Sequence, residues 1–271
     1  MRRAAPLALA LAAASAFPAP ARAQPHPLQY DLRVDAAIAL GTWAVYGTSE
    51  LAKSHLAPSS CRWCDPGKID AKVRDALVWG YIDHAQTASD VMAFAVFPLA
   101  MTTHQVLAAR GAGDTGAGWV DVLLVAEAVG IAMDVNQAVK FAVGRQRPFV
   151  HYGNWSDPNR QPDPDDNLSF YSGHTTFTFA VAAAAGTVSS MRGYRSAPWV
   201  WGVGMTLATA TGYLRIAGDK HYLTDVLVGA ATGLTAGIVI PRVMHPREDG
   251  KPGATTSMTI TPFPLGVSGV F

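Results

Sequence analysis

The sequence predicts an all-α protein, an antiparallel bundle of about six long helices with its functional groups gathered at one end. Three observations carry this prediction. Apolar residues recur with helical period through most of the chain, and no stretch alternates apolar and polar residues as a half-buried strand would. No internal repeat and no composition break divides the 271 residues, a length that suits one domain with a sizeable core.

Residues 1–23 read as an export signal. Arg2 and Arg3 precede an apolar run, Ala4 to Phe17, and Ala21-Arg22-Ala23 offers a cleavage site before Gln24. The run is too short to span a bilayer, and Pro18 and Pro20 break it. Residues 24–88 hold a first helical stretch, 34–53, then a Pro/Ser/Asp-rich loop, then a shorter amphipathic helix over 69–85 marked by Ile69, Val73, Ala76, Leu77 and Trp79. The loop carries Cys61 and Cys64. No second ligand pair follows at zinc spacing, and a redox site would want a strand-helix context, so in an exported chain the pair predicts a local structural disulfide. Residues 89–243 form the helical core, with apolar stretches at 89–110, 117–143, 174–192, 198–216 and 220–243. Between the second and third of these lies 149–169, rich in Pro, Asp and Asn, which reads as a long loop and a candidate lid. The tail, 244–271, is polar and then ends in a short apolar stretch of β character.

Net charge is +1, so no general attraction to nucleic acid follows. Charged residues make up 15% and hydrophobic residues 49%, a balance that suits a membrane protein or a tightly packed helical one. The run from Leu223 to Ile240 is the best span, while Asp121, Glu127 and Asp134 on the 117–143 stretch would have to face the bundle interior. The preferred arrangement has five spans, with the first helix flat or peripheral. It puts the motifs described below outside the inner membrane and Arg110, Arg192, Arg195 and Arg242 on the cytoplasmic side. A soluble periplasmic bundle is the rival placement.

Three short segments hold the chemistry. Lys140 ends a helix and Arg147 follows just before Pro148, so two cations can grip one tetrahedral anion from two directions. Ser172-Gly173-His174 opens a helix, where free backbone N–H groups favour an anion, Gly173 permits close approach and Ser172 supplies a donor or a cap. Arg215 ends the next helix, and His221 and Asp225 stand four apart at the start of the last. A carboxylate sharing a face with an imidazole can hold one ring nitrogen protonated and leave the other free, which makes an activated nucleophile. Antiparallel helices bring all three segments to one end of the bundle.

The pattern Lys-x6-Arg-Pro, Ser-Gly-His, Arg-x5-His-x3-Asp resembles the type 2 phosphatidic acid phosphatase superfamily, which includes membrane lipid phosphatases, soluble class A acid phosphatases and vanadium haloperoxidases. The resemblance covers about residues 89–243, with the motifs at 140–225. It implies phosphatase action on a phosphate mono- or diphosphate ester, of a lipid or a small molecule. His221 would form a phosphohistidine, Asp225 would orient it, and His174 would be the general acid. Lys140, Arg147, Arg215, Ser172 and the Gly173 amide would bind phosphate oxygens. It implies no metal and no cofactor, vanadate being expected only of a haloperoxidase. Tyr171 stands where the family usually has Pro, and Leu214 where it usually has Ser, which removes one phosphate donor. The alternatives implied are a soluble periplasmic acid phosphatase and, less favoured, a haloperoxidase.

Overall fold

The computed structural model describes residues 25–155 and 159–248; the export signal and nearly all of the tail lie outside the described residues. The architecture is all-α. The helices are α1 (Leu32–Leu51), α2 (Lys53–Leu56), α3 (Lys68–Leu77), α4 (Ile82–Val91), α5 (Phe97–Ala112), α6 (Thr115–Val143), α7 (Pro148–His151), α8 (Gly173–Arg192), α9 (Ala197–Ala217) and α10 (Leu223–Met244). A π-helical turn, Met92–Val96, joins α4 to α5.

The expected helix over 69–85 is two pieces. Val78 is extended at ψ 134° and ends α3. The Trp79 N–H then donates to Ala217 O at 3.0 Å, so a tertiary bond to the end of α9 replaces helix continuation. Residues 82–85 belong to α4, which runs through the π turn into α5. The expected loop 149–169 also opens in helix, because Pro148 fits the first position of α7.

Helix α1 does not lie flat; it packs lengthwise at the periphery of the bundle, against α6, which is the second of the two expected placements. It runs parallel to α6, with Asp35 near Glu127 at one end, Trp43 Nε1 donating to Ala126 O at 3.0 Å midway, and Gln137 bonded to Glu50 at the other. Helix α8 is buried along nearly its whole length, among α6, α9 and α10. The core lies here, with Leu124, Val125, Ala128, Val129 and Ala132 of α6 against Ala180, Val181, Ala184 and Val188 of α8. Against α10 the approach is closer still. A Cβ at Gly229, Gly233 or Gly237 would come within 2.8, 2.3 or 2.7 Å of the carbonyl oxygens of Ser172, Thr176 and Ala180. Glycine every fourth residue thus lets two backbones touch, and that contact sets α10 beside the start of α8, where two of the motifs meet.

The expected inward orientation of acidic residues on α6 holds for Asp121 and Glu127, both fully buried. Asp121 accepts from Arg192 Nε and Tyr194 Oη, each at 2.7 Å. Glu127 faces His245, at the end of the bundle away from Lys140; Asp134 stays part-exposed, with a buried Oδ1 that has no hydrogen-bond partner. Among the described residues, three helical segments are long and apolar enough to cross a membrane: Ile82–Ala112, Thr115–Val143 and Leu223–Met244. The first and last present most of their side chains outward, and Phe94, Leu99, Leu227 and Val243 are exposed. This apolar flank marks a membrane protein.

Candidate active site

His221 is the centre. It lies in the turn between α9 and α10, not on α10 itself, because Tyr222 is the N-cap of that helix. Its Nδ1 is 2.8 Å from the Ser169 carbonyl oxygen. A carbonyl only accepts, so Nδ1 carries the proton and Nε2 keeps its lone pair. Arg147 Nη1 stands 3.2 Å from that Nε2. Burial, reinforced by the charges of Arg147, Arg215 and Lys140, holds the imidazole well below its usual pKa and therefore neutral.

The expected direct pairing with Asp225 is not what orients this ring. Asp225 Oδ2 is 3.7 Å from Nδ1, beyond hydrogen-bond reach. The spacing of four does not put the two on one helical face, since His221 precedes the helix. Asp225 instead accepts from Ser169 Oγ at 2.6 Å and from Tyr222 N at 2.9 Å, and pairs with Arg145 at 2.5 Å. It fixes the peptide at Ser169 that in turn holds His221, so it is a positioning residue.

Arg145, which the motif reading passed over, is the anchor of this layer. Its guanidinium is buried between the Trp63 and Tyr222 rings, 3.9 and 4.3 Å from their centroids, and pairs with Asp70 at 2.6 Å as well as with Asp225. It also donates to Thr224 Oγ1 at 2.8 Å. Asp70 comes from α3, outside the expected core.

The three predicted cations do gather around His221. Arg147 is buried, donates from Nε to Asp165 O at 2.8 Å and from Nη1 to Lys220 O at 3.1 Å, and pairs through Nη2 with the Asp165 carboxylate at 2.5 Å. Arg215 is buried and donates from Nη1 to Ser89 Oγ at 2.9 Å and to Asp90 Oδ1 at 3.2 Å, while its Nε has no partner. Lys140 is half-buried beside the start of α8; a Cβ at Gly173 would come within 3.2 Å of its Nζ, so glycine leaves room for the ammonium there. Ser172 is fully buried and caps α8, its Oγ accepting from Thr175 Oγ1 at 2.9 Å.

His174 stands across from His221 with Nε2 2.7 Å from Asp90 Oδ1 and its ring 4.9 Å from Phe94. Asp90 therefore holds the His174 and Arg215 side chains through one oxygen. Asp165 is the second carboxylate the motifs did not show. Burial raises its pKa, but Arg147, Lys140 and Lys53 outweigh burial and hold it below the usual carboxylate range. Lys220, next to His221, is pushed down to about 8 by burial and by Arg147 and Arg215. The loop 149–169 is fastened at its far end through Arg147–Asp165 and Ser169–Asp225, and at its start by Phe149 N donating to Asp219 O at 3.0 Å. Cys61 and Cys64 are disulfide-bonded, with Cα atoms 5.3 Å apart, and the adjoining Arg62 N donates to Gly144 O at 2.9 Å. The disulfide loop thus lies at the site end.

A neutral imidazole whose unprotonated Nε2 meets Arg147, ringed by guanidinium and ammonium groups and faced by a second imidazole, defines a site for a tetrahedral oxyanion. Residues 121–249, a span that contains every motif, match the model of the PAP2 superfamily. A lipid A 1-phosphatase of Porphyromonas gingivalis is 33% identical over 115 residues, 42% of this chain and 22% of that protein, so the chain spans about a fifth of the curated relative it matches. The crystal structure titled as the first transmembrane PAP2 type phosphatidylglycerolphosphate phosphatase from Bacillus subtilis aligns over 76% of this chain and 93% of that one, at 15% identity and a TM-score of 0.45.

Proposed function

We propose that this chain is a phosphatase that removes phosphate from a mono- or diphosphate ester of a lipid through a phosphohistidine on His221. The observation that carries the reading is the His221 ring: Nδ1–H is committed to the Ser169 carbonyl, so the Nε2 lone pair faces the cations. In the first step Nε2 attacks phosphorus, the P–O bond to the alcohol breaks, and His174 gives the leaving oxygen a proton. In the second, water attacks the phosphohistidine, gives its proton to His174, and inorganic phosphate departs. Arg147, Arg215, Lys140, the Ser172 hydroxyl and the Gly173 amide take the charge on the phosphoryl oxygens. This chemistry needs no metal or cofactor; vanadate would be held by the same cations.

The apolar flank of α4–α5 and α10 supports a lipid substrate and a membrane setting. The disulfide at the site end supports a site open to an oxidising compartment, as the periplasm is. Because α1 runs the length of the bundle, residue 25 and the site lie at opposite ends. A cleaved leader and a periplasmic site are then both true only if the bundle lies wholly on the outer side, against the membrane by its apolar flank. Labelling of single cysteines placed at Arg195 and at Tyr81 by an impermeant maleimide tests this: both react from outside if the bundle does not cross, and only one if it does.

The activity test pairs phosphatidic acid, phosphatidylglycerol phosphate, lipid A 1-phosphate and prenyl diphosphates with a water-soluble aryl phosphate. Wild type releases phosphate from a lipid ester, His221→Ala does not, and rapid quench traps phosphohistidine. Release that survives His221→Ala overturns the assignment. Preference for the aryl phosphate favours the soluble acid phosphatase alternative.

A further inference from the structure

We propose that Asp35, Glu127 and His245 form a divalent-cation site that clips together the end of the bundle opposite His221. The three residues come from α1, from α6 and from just beyond α10, and are 5%, 0% and 1% exposed. One ligand atom from each lies within 4.8 Å of the other two.

Two observations point to a cation rather than to hydrogen bonds alone. The first concerns His245. Its Nδ1 is 3.2 Å from the Gln29 carbonyl oxygen, which only accepts, so Nδ1 carries hydrogen. Nε2 then turns its lone pair toward Glu127 Oε2, 3.2 Å away. Two lone pairs at that distance need a proton or a metal between them. A ring whose outer N–H is spent on a backbone carbonyl is the usual posture of a metal-binding histidine. The second is Glu127 Oε1, buried and without any hydrogen-bond partner.

Charge favours a metal over a proton on Nε2. A proton on Nε2 leaves two buried carboxylates against one imidazolium. His245 is the one cationic partner that either carboxylate finds among the described residues, and Asp35 otherwise accepts only from Asp31 N, at 2.9 Å. A divalent ion bound by two carboxylates and a neutral imidazole is balanced, which matters where water cannot help. One imidazole and two carboxylates, with no thiolate, suit Zn2+ with water as a fourth ligand.

The site joins the segments that close this end. Residues 27–29 pair with 246–248, through Gln29 N to Pro246 O at 2.9 Å and Glu248 N to Pro27 O at 3.0 Å. Gln29, which positions the His245 ring, belongs to that strap. At 1.5 Å per residue, α10 separates His245 from His221 by about 33 Å, so the ion is structural and takes no part in phosphate chemistry.

The test uses full-length protein in detergent, stripped with a chelator, dialysed and titrated with Zn2+ against a chromophoric competitor. Metal content and thermal unfolding are read together. One Zn2+ per chain and a raised Tm are expected of wild type and of His221→Ala. In Glu127→Gln and His245→Gln, affinity falls by more than the ~10–100-fold that loss of an outer partner costs, and the Tm shift disappears. His245→Gln keeps the reach of the side chain and carries the test if Glu127→Gln does not fold. Absence of stoichiometric Zn2+ in wild type, or undiminished binding in the variants, overturns the proposal and leaves a protonated His245–Glu127 pair.

Discussion

Replacing Arg145 by Met tests the layer beneath the nucleophile. Arg145 is 1% exposed, and its carboxylate partners Asp70 and Asp225 are 3% and 0% exposed, so the substitution strands two charges that water cannot reach. Breaking a buried ion pair from one side costs about 3–5 kcal/mol. At roughly 2–4 °C per kcal/mol for a domain of this size, the midpoint should fall by about 6–20 °C. Below that midpoint the protein still folds, but the Ser169 peptide loses the brace that Arg145 gives Asp225. A displaced His221 of even 1 Å can cost ~100-fold in turnover. The assay is thermal unfolding in detergent, followed by tryptophan fluorescence because Trp63 stacks on Arg145, together with turnover measured well below the midpoint. Adding Asp70→Asn removes one stranded charge and should recover part of the midpoint. A fall under about 3 °C, or no recovery in the double variant, refutes the argument, since a buried and mutually dependent network would produce both.

Three further expectations follow from the geometry. Gly233→Ala forces a Cβ to within 2.3 Å of Thr176 O, so α10 must move off α8; a loss of about 1–3 kcal/mol is expected, and an unchanged midpoint would mean that the helices do not touch there. Asp90→Asn keeps size but removes the charge that holds His174 and Arg215; turnover should drop ~10–100-fold, more for substrates with poor leaving groups, and an equal drop for all leaving groups argues against His174 as the acid. The pH profile follows from two lowered pKa values. His221 is neutral down to below the ordinary imidazole range, so the acid limb of kcat/KM set by the nucleophile lies below pH ~6.5. Lys220 loses its positive charge as pH rises through about 8, so KM should rise above that point; Lys220→Arg should move this alkaline limb upward, and an unmoved limb assigns it to another group.

What could be read along the chain was local. The long helices follow from apolar periodicity, and the boundary at Val78 escaped because the bond that replaces helix continuation comes from Ala217, far along the chain. The disulfide was legible because its partners stand three residues apart. Arg145, by contrast, lies two residues before Arg147 in a stretch that reads as an ordinary basic helix end, and its partners are 75 and 80 residues away. Asp90 and Asp165 look like solvated acids until the fold sets them against Arg215 and Arg147. Periodicity left α1 either flat or peripheral, because it says which face is apolar, not which neighbour covers it; the structure packs it peripherally on α6.

The sequence by itself determined the long helices and the cations and imidazoles that an antiparallel bundle must bring to one end. Only the tertiary structure decided how the nucleophile is held. That Ser169 rather than Asp225 takes the Nδ1 proton depends on His221 lying one residue before an N-cap, and on the backbone contact between α8 and α10. Spacing records distance along a helix. It does not record where the helix begins or what a neighbouring backbone presents, and hydrogen bonds of about 3 Å are settled by both.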